Sequence, residues 1–192
     1  VNRAEKYGND IDEVDRFATL AFDHACEYLK TQKGIFGGGF FAQPFTFLWL
    51  VDFGRQTAAT PDGRKKGDNL AYSLSPMQGR DINGLTAMIN SLAKFPYEKA
   101  AGGASAIVEV DPDLFEGKNL NLLVSLLQTA MEKGVGQMQF NVVTADLLQQ
   151  AQKYPEKYSN LSVRVSGFSQ RFCLLDKDIQ DHIIARTKHR NL

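Results

Sequence analysis

The stretch Arg164-Val165-Ser166-Gly167-Phe168-Ser169 sets a single glycine just after an apolar, β-branched run, with an arginine before it and an aromatic behind it. Gly167 is first a backbone device, because a residue without Cβ takes positive φ at a tight turn and lets another chain approach closely. The missing Cβ also has a chemical consequence. An unpaired electron on a glycine Cα lets that carbon flatten freely, so the spin is shared between the adjoining amide nitrogen and carbonyl. Taken alone, a short glycine loop is weak evidence for such chemistry and reads first as a structural turn.

Other residues with reactive side chains form weaker patterns. Cys26 falls beside the apolar stripe of a helix and reads as core packing. Cys173 follows Gly167 on the outgoing chain and reads as packing or loop structure, with a redox role as the alternative. The two cysteines form no CxxC pair and have no histidine cluster nearby, which argues against a disulfide framework and a structural zinc site. His24, His182 and His189 are scattered along helices or just beyond their ends and read as surface or helix-end residues. Asp10, Asp12, Glu13 and Asp15 are explained by a capped, solvated helix start, so no metal site is expected. Thr60-Pro61-Asp62-Gly63-Arg64 lacks the spacing of a phosphate-binding loop. Asp62 there is expected to fix a turn, and Arg64 to pair with a carboxylate or backbone carbonyls.

The elements that must position these residues follow from periodicity. Asp10 is expected to cap a helix running to Gln32, with Ile11, Val14, Phe17, Leu20, Ala21, His24, Ala25, Tyr28 and Leu29 on its buried face. Gly34 ends that helix, and Gly37, Gly38 and Gly39 lead into Phe40 and Phe41 where the backbone bends or meets another chain. Thr46 to Thr57 leans to helix. From Ala59 to Gly84 three turn signatures make a long ordered loop. Helices are then expected over Leu85–Lys94, Asn119–Lys133, Ala145–Lys153 and Asp176–Thr187, and strands over Ala106–Val110, Gln137–Val143 and Leu161–Val165. The alternation predicts an α/β fold with parallel strands inside each crossover unit. The strands are few for the apolar helical surface on offer, so a large permanent interface with another polypeptide, or with an absent part of the same one, is expected.

Composition bounds the reading. The 192 residues carry 22 Lys plus Arg against 22 Asp plus Glu, and this balance removes the usual electrostatic argument for nucleic acid or membrane partners. The apolar run from Phe45 to Phe53 contains Asp52 and falls short of the roughly 20 residues that a membrane helix needs. Val1 stands first, with no basic-then-apolar leader after it, so a chain cut from something longer and a cytoplasmic location are expected.

The glycine stretch resembles the radical motif of the glycyl radical enzymes, the group that includes pyruvate formate-lyase, glycerol and propanediol dehydratases, choline trimethylamine-lyase and arylacetate decarboxylases. The likeness runs through nearly the whole chain. It takes in Lys6-Tyr7-Gly8-Asn9-Asp10 with Val14-Asp15, Ala59 to Arg64, Ser75-Pro76 through Gly84-Leu85-Thr86, and Gln139-Phe140-Asn141-Val142-Val143. It continues with Ala151-Gln152, Pro155-Glu156-Lys157-Tyr158, Arg164 to Gly167, and Ile179-Gln180-Asp181 to Arg186-Thr187.

The resemblance implies part of a ten-stranded α/β barrel, with this chain supplying the C-terminal strands, helices and glycine loop. Residues 1–58 would be a helical, Gly-rich opening, 59–84 an ordered loop, 85–160 barrel α/β units, and 161–192 the radical loop and terminal helix. Gly167 would lose a hydrogen atom to a radical S-adenosylmethionine activating enzyme that keeps its own [4Fe–4S] cluster. Arg164, Val165, Ser166 and Phe168 would form the loop which that activator recognises. In the family the stored radical then oxidises a cysteine on a facing loop, and the thiyl radical attacks the substrate. That cysteine lies upstream of the Lys-Tyr-Gly-Asn-Asp block, and neither Cys26 nor Cys173 matches it, so a larger chain is expected to supply it. Phe40, Met88, Asn90 and Val108 are expected to trim the substrate pocket. At Glu109-Val110-Asp111-Pro112 the sequence departs from the basic residue and His-Pro of many dehydratase-like relatives.

The leading expectation is therefore the radical-bearing component of an oxygen-sensitive lyase or dehydratase of anaerobic metabolism, inactive without its cysteine-bearing partner, cleaving C–C, C–O, C–N or C–S bonds of a small molecule. A subunit resembling the autonomous glycyl radical cofactor proteins, which replace an oxygen-damaged radical domain, is the second reading. The early start of the likeness favours the first. A binding domain that kept the fold is the third.

Overall fold

The apolar strand β1 (Ala106–Val110) is buried along its whole length, and the rest of the chain packs around it. In the computed structural model, which describes residues 4–186 and 188–190, β1 pairs in parallel with β2 (Met138–Val142) and with β5 (Lys188–His189) in the order β2-β1-β5. The crossover from β1 to β2 is the helix α4 (Gly117–Glu132), closed at Gly134 with φ +87°. Parallel strands joined by a helix make the fold α/β.

Each face of β1 has its own core, which is why a continuous apolar run suits it. Ala106, Val108 and Val110 pack against Leu85, Met88, Ile89 and Leu92 of α3 (Leu85–Ala93) and Leu123 and Ala130 of α4. On the other face, Ile107 joins Leu50 and Val51 of α2 (Leu50–Gln56), Leu148 and Ala151 of α5 (Ala145–Lys153), and Ile179 and Ile183 of α6 (Lys177–Ala185). Thr144 caps α5 by accepting from the Leu147 amide at 3.1 Å. The segment leaning to helix in the sequence is a short 3-10 turn, Phe47–Trp49, followed by α2. Thr187, to which the last helix is predicted to run, lies outside the described residues; α6 itself stops at Ala185.

Several expectations are corrected. The strand β3 (Ser162–Arg164) does not join the parallel sheet. It pairs antiparallel with an unforeseen strand, β4 (Ser169–Arg171), because the short link between them closes a hairpin, whereas a parallel return needs about a dozen residues or more. Asp10 does not cap α1 (Asp12–Lys30): at φ +57° it turns its carboxylate to Asn90 Nδ2 at 2.8 Å and Lys94 Nζ at 2.7 Å. The start of α1 is not simply solvated either. Asp15 is buried and shares the Lys94 ammonium with Asp12. The inward face of α1 runs through Asp15, Phe22 and Cys26, whereas Phe17, Leu20 and Tyr28 of the predicted buried face are 63%, 50% and 62% exposed. That helix has two apolar stripes, and the chain covers one.

Residues 57–84 contain no helix or strand, yet they are fastened at several points. Buried Arg64 donates to the carbonyls of Gly54, Thr57, Ala58, Lys65 and Asp68, the carbonyl alternative foreseen for it. Asn9 Oδ1 accepts from the amides of Ile82 and Asn83, and Ser75 Oγ accepts from the Ile107 amide on β1. None of the described helices is long and apolar enough to cross a membrane.

Candidate functional site

The hairpin of β3 and β4 carries Gly167 at its tip. The Val165 amide donates to the Phe168 carbonyl at 2.9 Å across the turn, and Gly167 sits at φ +85°. A turn position with φ of this sign strongly favours glycine. Crowding is not the reason: a Cβ there would meet Phe45 Cζ at 3.4 Å, an ordinary contact. Gly167 is exposed, while Val165 and Ser166 are buried.

Two arginines hold the strand that enters this turn. Arg164 Nη2 donates to the Gly167 carbonyl at 2.9 Å, Nε to Gln139 Oε1 on β2 at 2.8 Å, and Nη1 to Ser169 Oγ at 3.4 Å. The backbone of Arg164 is gripped by Asn141 of β2, whose Oδ1 accepts from its amide at 2.5 Å and whose Nδ2 donates to its carbonyl at 2.8 Å. Arg186, just past α6, donates from Nη2 to the Val165 carbonyl at 3.0 Å and from Nη1 to Glu109 Oε1 at 3.0 Å. Glu109 Oε1 also accepts from Asn141 Nδ2 at 2.9 Å. The Glu109 and Arg186 side chains are only 1% and 9% exposed, so the pair is buried and its geometry fixed from both partners.

Behind this clamp lies a cavity of about 20 Å³, bordered among others by Tyr72, Gln78, Met88, Glu109, His182 and Arg186. Glu109 Oε2, Gln78 Oε1 and His182 Nε2 are buried and have no hydrogen-bond partner among the described residues. Burial, reinforced by the charges of Arg186 and Lys188, pushes the His182 pKa down to about 3. Gln78 Nε2 bonds its Nδ1, which suits a neutral ring. Burial likewise pushes Lys188 down to about 8. His189 Nε2 lies 3.0 Å from Asp81 Oδ2. His182 and His189 are thus buried, not the surface residues foreseen; only His24 is exposed.

The structure brings Arg164, Val165, Ser166, Gly167 and Phe168 together on one turn, with Phe168 bordering an apolar groove that includes Phe47, Trp49 and Ile179. It does not gather the four residues foreseen as pocket lining. Met88 borders the small cavity, but Val108 points to the opposite face of β1 and is packed against α3 and α4. Asn90 bonds Asp10 and Lys133 on the far side of α3, and Phe40 lies 48% exposed in the Gly-rich loop. Cys26 packs near the Lys99 carbonyl, and Cys173 Sγ lies 3.4 Å from the Tyr158 carbonyl and 3.6 Å from that of Ala151. Among the described residues no group of three or more His, Cys, Asp or Glu is placed to hold a metal ion. Sequence reasoning assigned no role to Gln139, Asn141, Glu109 or Arg186. For Gln139, Asn141 and Glu109 the signal was polar residues at alternate positions of strands whose neighbours are apolar; Arg186, just past α6, carried no such signal.

An α/β unit that presents a glycine at the tip of a clamped hairpin is what fold and site define, and the comparisons name the family. The glycine radical family model matches residues 70–173, a span that includes Gly167. The chain is 39% identical over 197 aligned residues to the probable dehydratase YbiW of Escherichia coli (strain K12), an alignment covering 98% of this chain and 24% of that protein. It superimposes with a TM-score of 0.92 on a structure of 1,2-propanediol dehydration in Roseburia inulinivorans, at 41% identity over 97% of this chain and 24% of that one. The glycerol-bound, B12-independent glycerol dehydratase of Clostridium butyricum matches with a TM-score of 0.90 and 41% identity, over 98% of this chain and 24% of that one. The chain belongs to the glycyl radical enzyme family and corresponds to the C-terminal portion of its members. It spans about a quarter of the length of these relatives.

Proposed function

We propose that Gly167 stores a Cα radical for an anaerobic lyase or dehydratase reaction. The observation that carries this reading is a glycine held at φ +85° on an exposed hairpin tip, its carbonyl held by Arg164 and the backbone of Arg164 and Val165 held by Asn141 and Arg186, inside the span matched to the glycine radical family. Activation removes one hydrogen atom, proton and electron together, from Gly167 Cα. A radical S-adenosylmethionine activating enzyme with its own [4Fe–4S] cluster is the agent, and Arg164, Val165, Ser166 and Phe168 are the residues it reads. The Gly167 radical then takes a hydrogen atom from a cysteine thiol, regenerating the Cα–H and leaving a thiyl radical that attacks the substrate. Holding the two atoms in contact within a dry site favours the transfer.

The thiol comes from a separate, larger chain in this reading. It is supported by the packing of Cys26 and Cys173 against backbone carbonyls. The relatives' names favour dehydration of a small hydroxylated compound over other bond cleavages. Residues 161–192 act as the radical-bearing segment, and 1–160 as its support. Oxygen sensitivity goes with the same chemistry, since dioxygen adds to a carbon radical, and a cytoplasmic setting is part of the same reading. The test is turnover. The activated chain alone converts no hydroxylated substrate, and adding a cysteine-bearing chain restores dehydration; activity of the chain by itself overturns the divided site.

A further inference from the structure

We propose that the Arg164 guanidinium, aimed by Gln139, polarises the Gly167 carbonyl so that spin spreads from Gly167 Cα towards its amide nitrogen, and so prolongs the life of the radical. The inference rests on the reading of Gly167 as the radical site. Two arginines flank the turn, and they differ in one respect. The charge of Arg186 is matched by Glu109 at 3.0 Å, whereas among the described residues no carboxylate pairs with Arg164. Its three bonds all go to neutral oxygens, and one of these is the Gly167 carbonyl at 2.9 Å.

The carbonyl is the electron-withdrawing half of the push–pull system that shares the spin. A cationic donor on its oxygen favours the resonance form with negative charge on that oxygen and the unpaired electron on the amide nitrogen, so spin leaves Cα and the bond from Cα to the carbonyl carbon stiffens. Hydrogen bonds to ionised groups are about twice as strong as neutral ones, and a planar guanidinium held at several nitrogens has little freedom to swing away. Gln139 supplies that hold. It is buried on β2, opposite Ile107 in the register of the parallel sheet, so the acceptor for Arg164 Nε is anchored to that sheet. Arg164 touches the reacting residue, and Gln139 is a positioning residue acting through it. Gln139 lies outside the glycine turn, so its substitution keeps the identity of every residue read by the activator while freeing the Arg164 side chain, and splitting and decay are therefore read per spin formed.

The test uses the full chain together with its cysteine-bearing partner, activated without oxygen. Electron paramagnetic resonance reads the doublet splitting from the remaining Cα–H, which grows with spin density on Cα, and the decay of the signal. Gln139→Met removes the acceptor at similar volume and is expected to widen the doublet and shorten the lifetime several-fold, both read from the spin that forms. Gln139→Glu supplies an acceptor again but pairs the Arg164 charge with a carboxylate, and is expected to give values between those of the wild type and Gln139→Met. In wild-type protein labelled with 15N in the arginine guanidinium, electron–nuclear double resonance is expected to show a 15N coupling that Gln139→Met weakens. A radical with no 15N coupling in the wild type, or with unchanged splitting and decay in Gln139→Met, overturns the inference and leaves the radical site standing. A wild-type protein that forms no radical overturns both. Should Gln139→Met fail to assemble, the wild-type 15N measurement decides alone.

Discussion

Replacing Glu109 by alanine should unfasten the turn from the sheet, and the structure sets the size of the effect. Glu109 Oε1 accepts from Arg186 Nη1 at 3.0 Å and from Asn141 Nδ2 at 2.9 Å, in a side chain that is 1% exposed. Breaking a buried ion pair from one side costs about 3–5 kcal/mol, because the remaining charge stays buried and unmatched. Here Arg186 keeps the Val165 carbonyl at 3.0 Å and the Arg164 carbonyl at 3.4 Å, which places the loss at the lower end, about 3 kcal/mol. With a urea slope of about 2 kcal/mol per molar, the unfolding midpoint should fall by about 1.5 M. The double variant Glu109→Met with Arg186→Met should lose less than the two single variants combined, since an apolar pair strands no charge. A midpoint shift below about 0.5 M, or strict additivity of the two changes, refutes the clamp as drawn.

Other consequences follow from the same packing. Gly54→Ala on α2 would push a Cβ to 2.9 Å from Asn69 Cα and closer still to the Asp68 carbonyl, so it should destabilise by about 1–3 kcal/mol in thermal or urea unfolding, whereas Gly67→Ala, with nothing nearby, should cost only its backbone strain at φ +88°. The His182 pKa is about 3 in the folded chain against an ordinary 6.5, so the unfolded chain binds the extra proton first; its contribution is complete above pH 6.5 and is lost as pH falls towards 3. Acid unfolding should therefore steepen below pH 6.5 by an amount on the order of 4 kcal/mol in all, and His182→Gln should flatten that part of the profile. Air admitted to the activated protein should cut the backbone at Gly167 and release a peptide near residues 168–192, read by mass spectrometry; an uncut chain speaks against a Cα radical.

Much of the scaffold was legible because local pattern and burial agree. The β1 strand at Ala106–Val110 and the α5 helix at Ala145–Lys153 fall where β-branched content and periodicity place them. What was not legible is what depends on distant residues. The β4 strand is polar and exposed throughout, and it exists only because the glycine turn returns it to β3. The wrong face of α1 was chosen since its inward stripe includes Asp15, whose burial depends on Lys94, far along the chain. The glycine and its neighbours could be read from their types and order, but the clamp could not. Glu109, Asn141, Arg164 and Arg186 meet through a parallel sheet register and a helix that ends beside the turn, and no spacing in the sequence encodes that meeting.

The most direct measurement is the paramagnetic resonance spectrum of the chain after anaerobic treatment with its activating enzyme and S-adenosylmethionine. The account predicts an organic doublet that collapses when the protein carries glycine deuterated at Cα and that is abolished by Gly167→Ala, a variant in which circular dichroism should show the fold intact apart from a turn strained by about 1–2 kcal/mol at φ +85°. A silent spectrum from the active preparation, or a doublet that persists in folded Gly167→Ala, contradicts it.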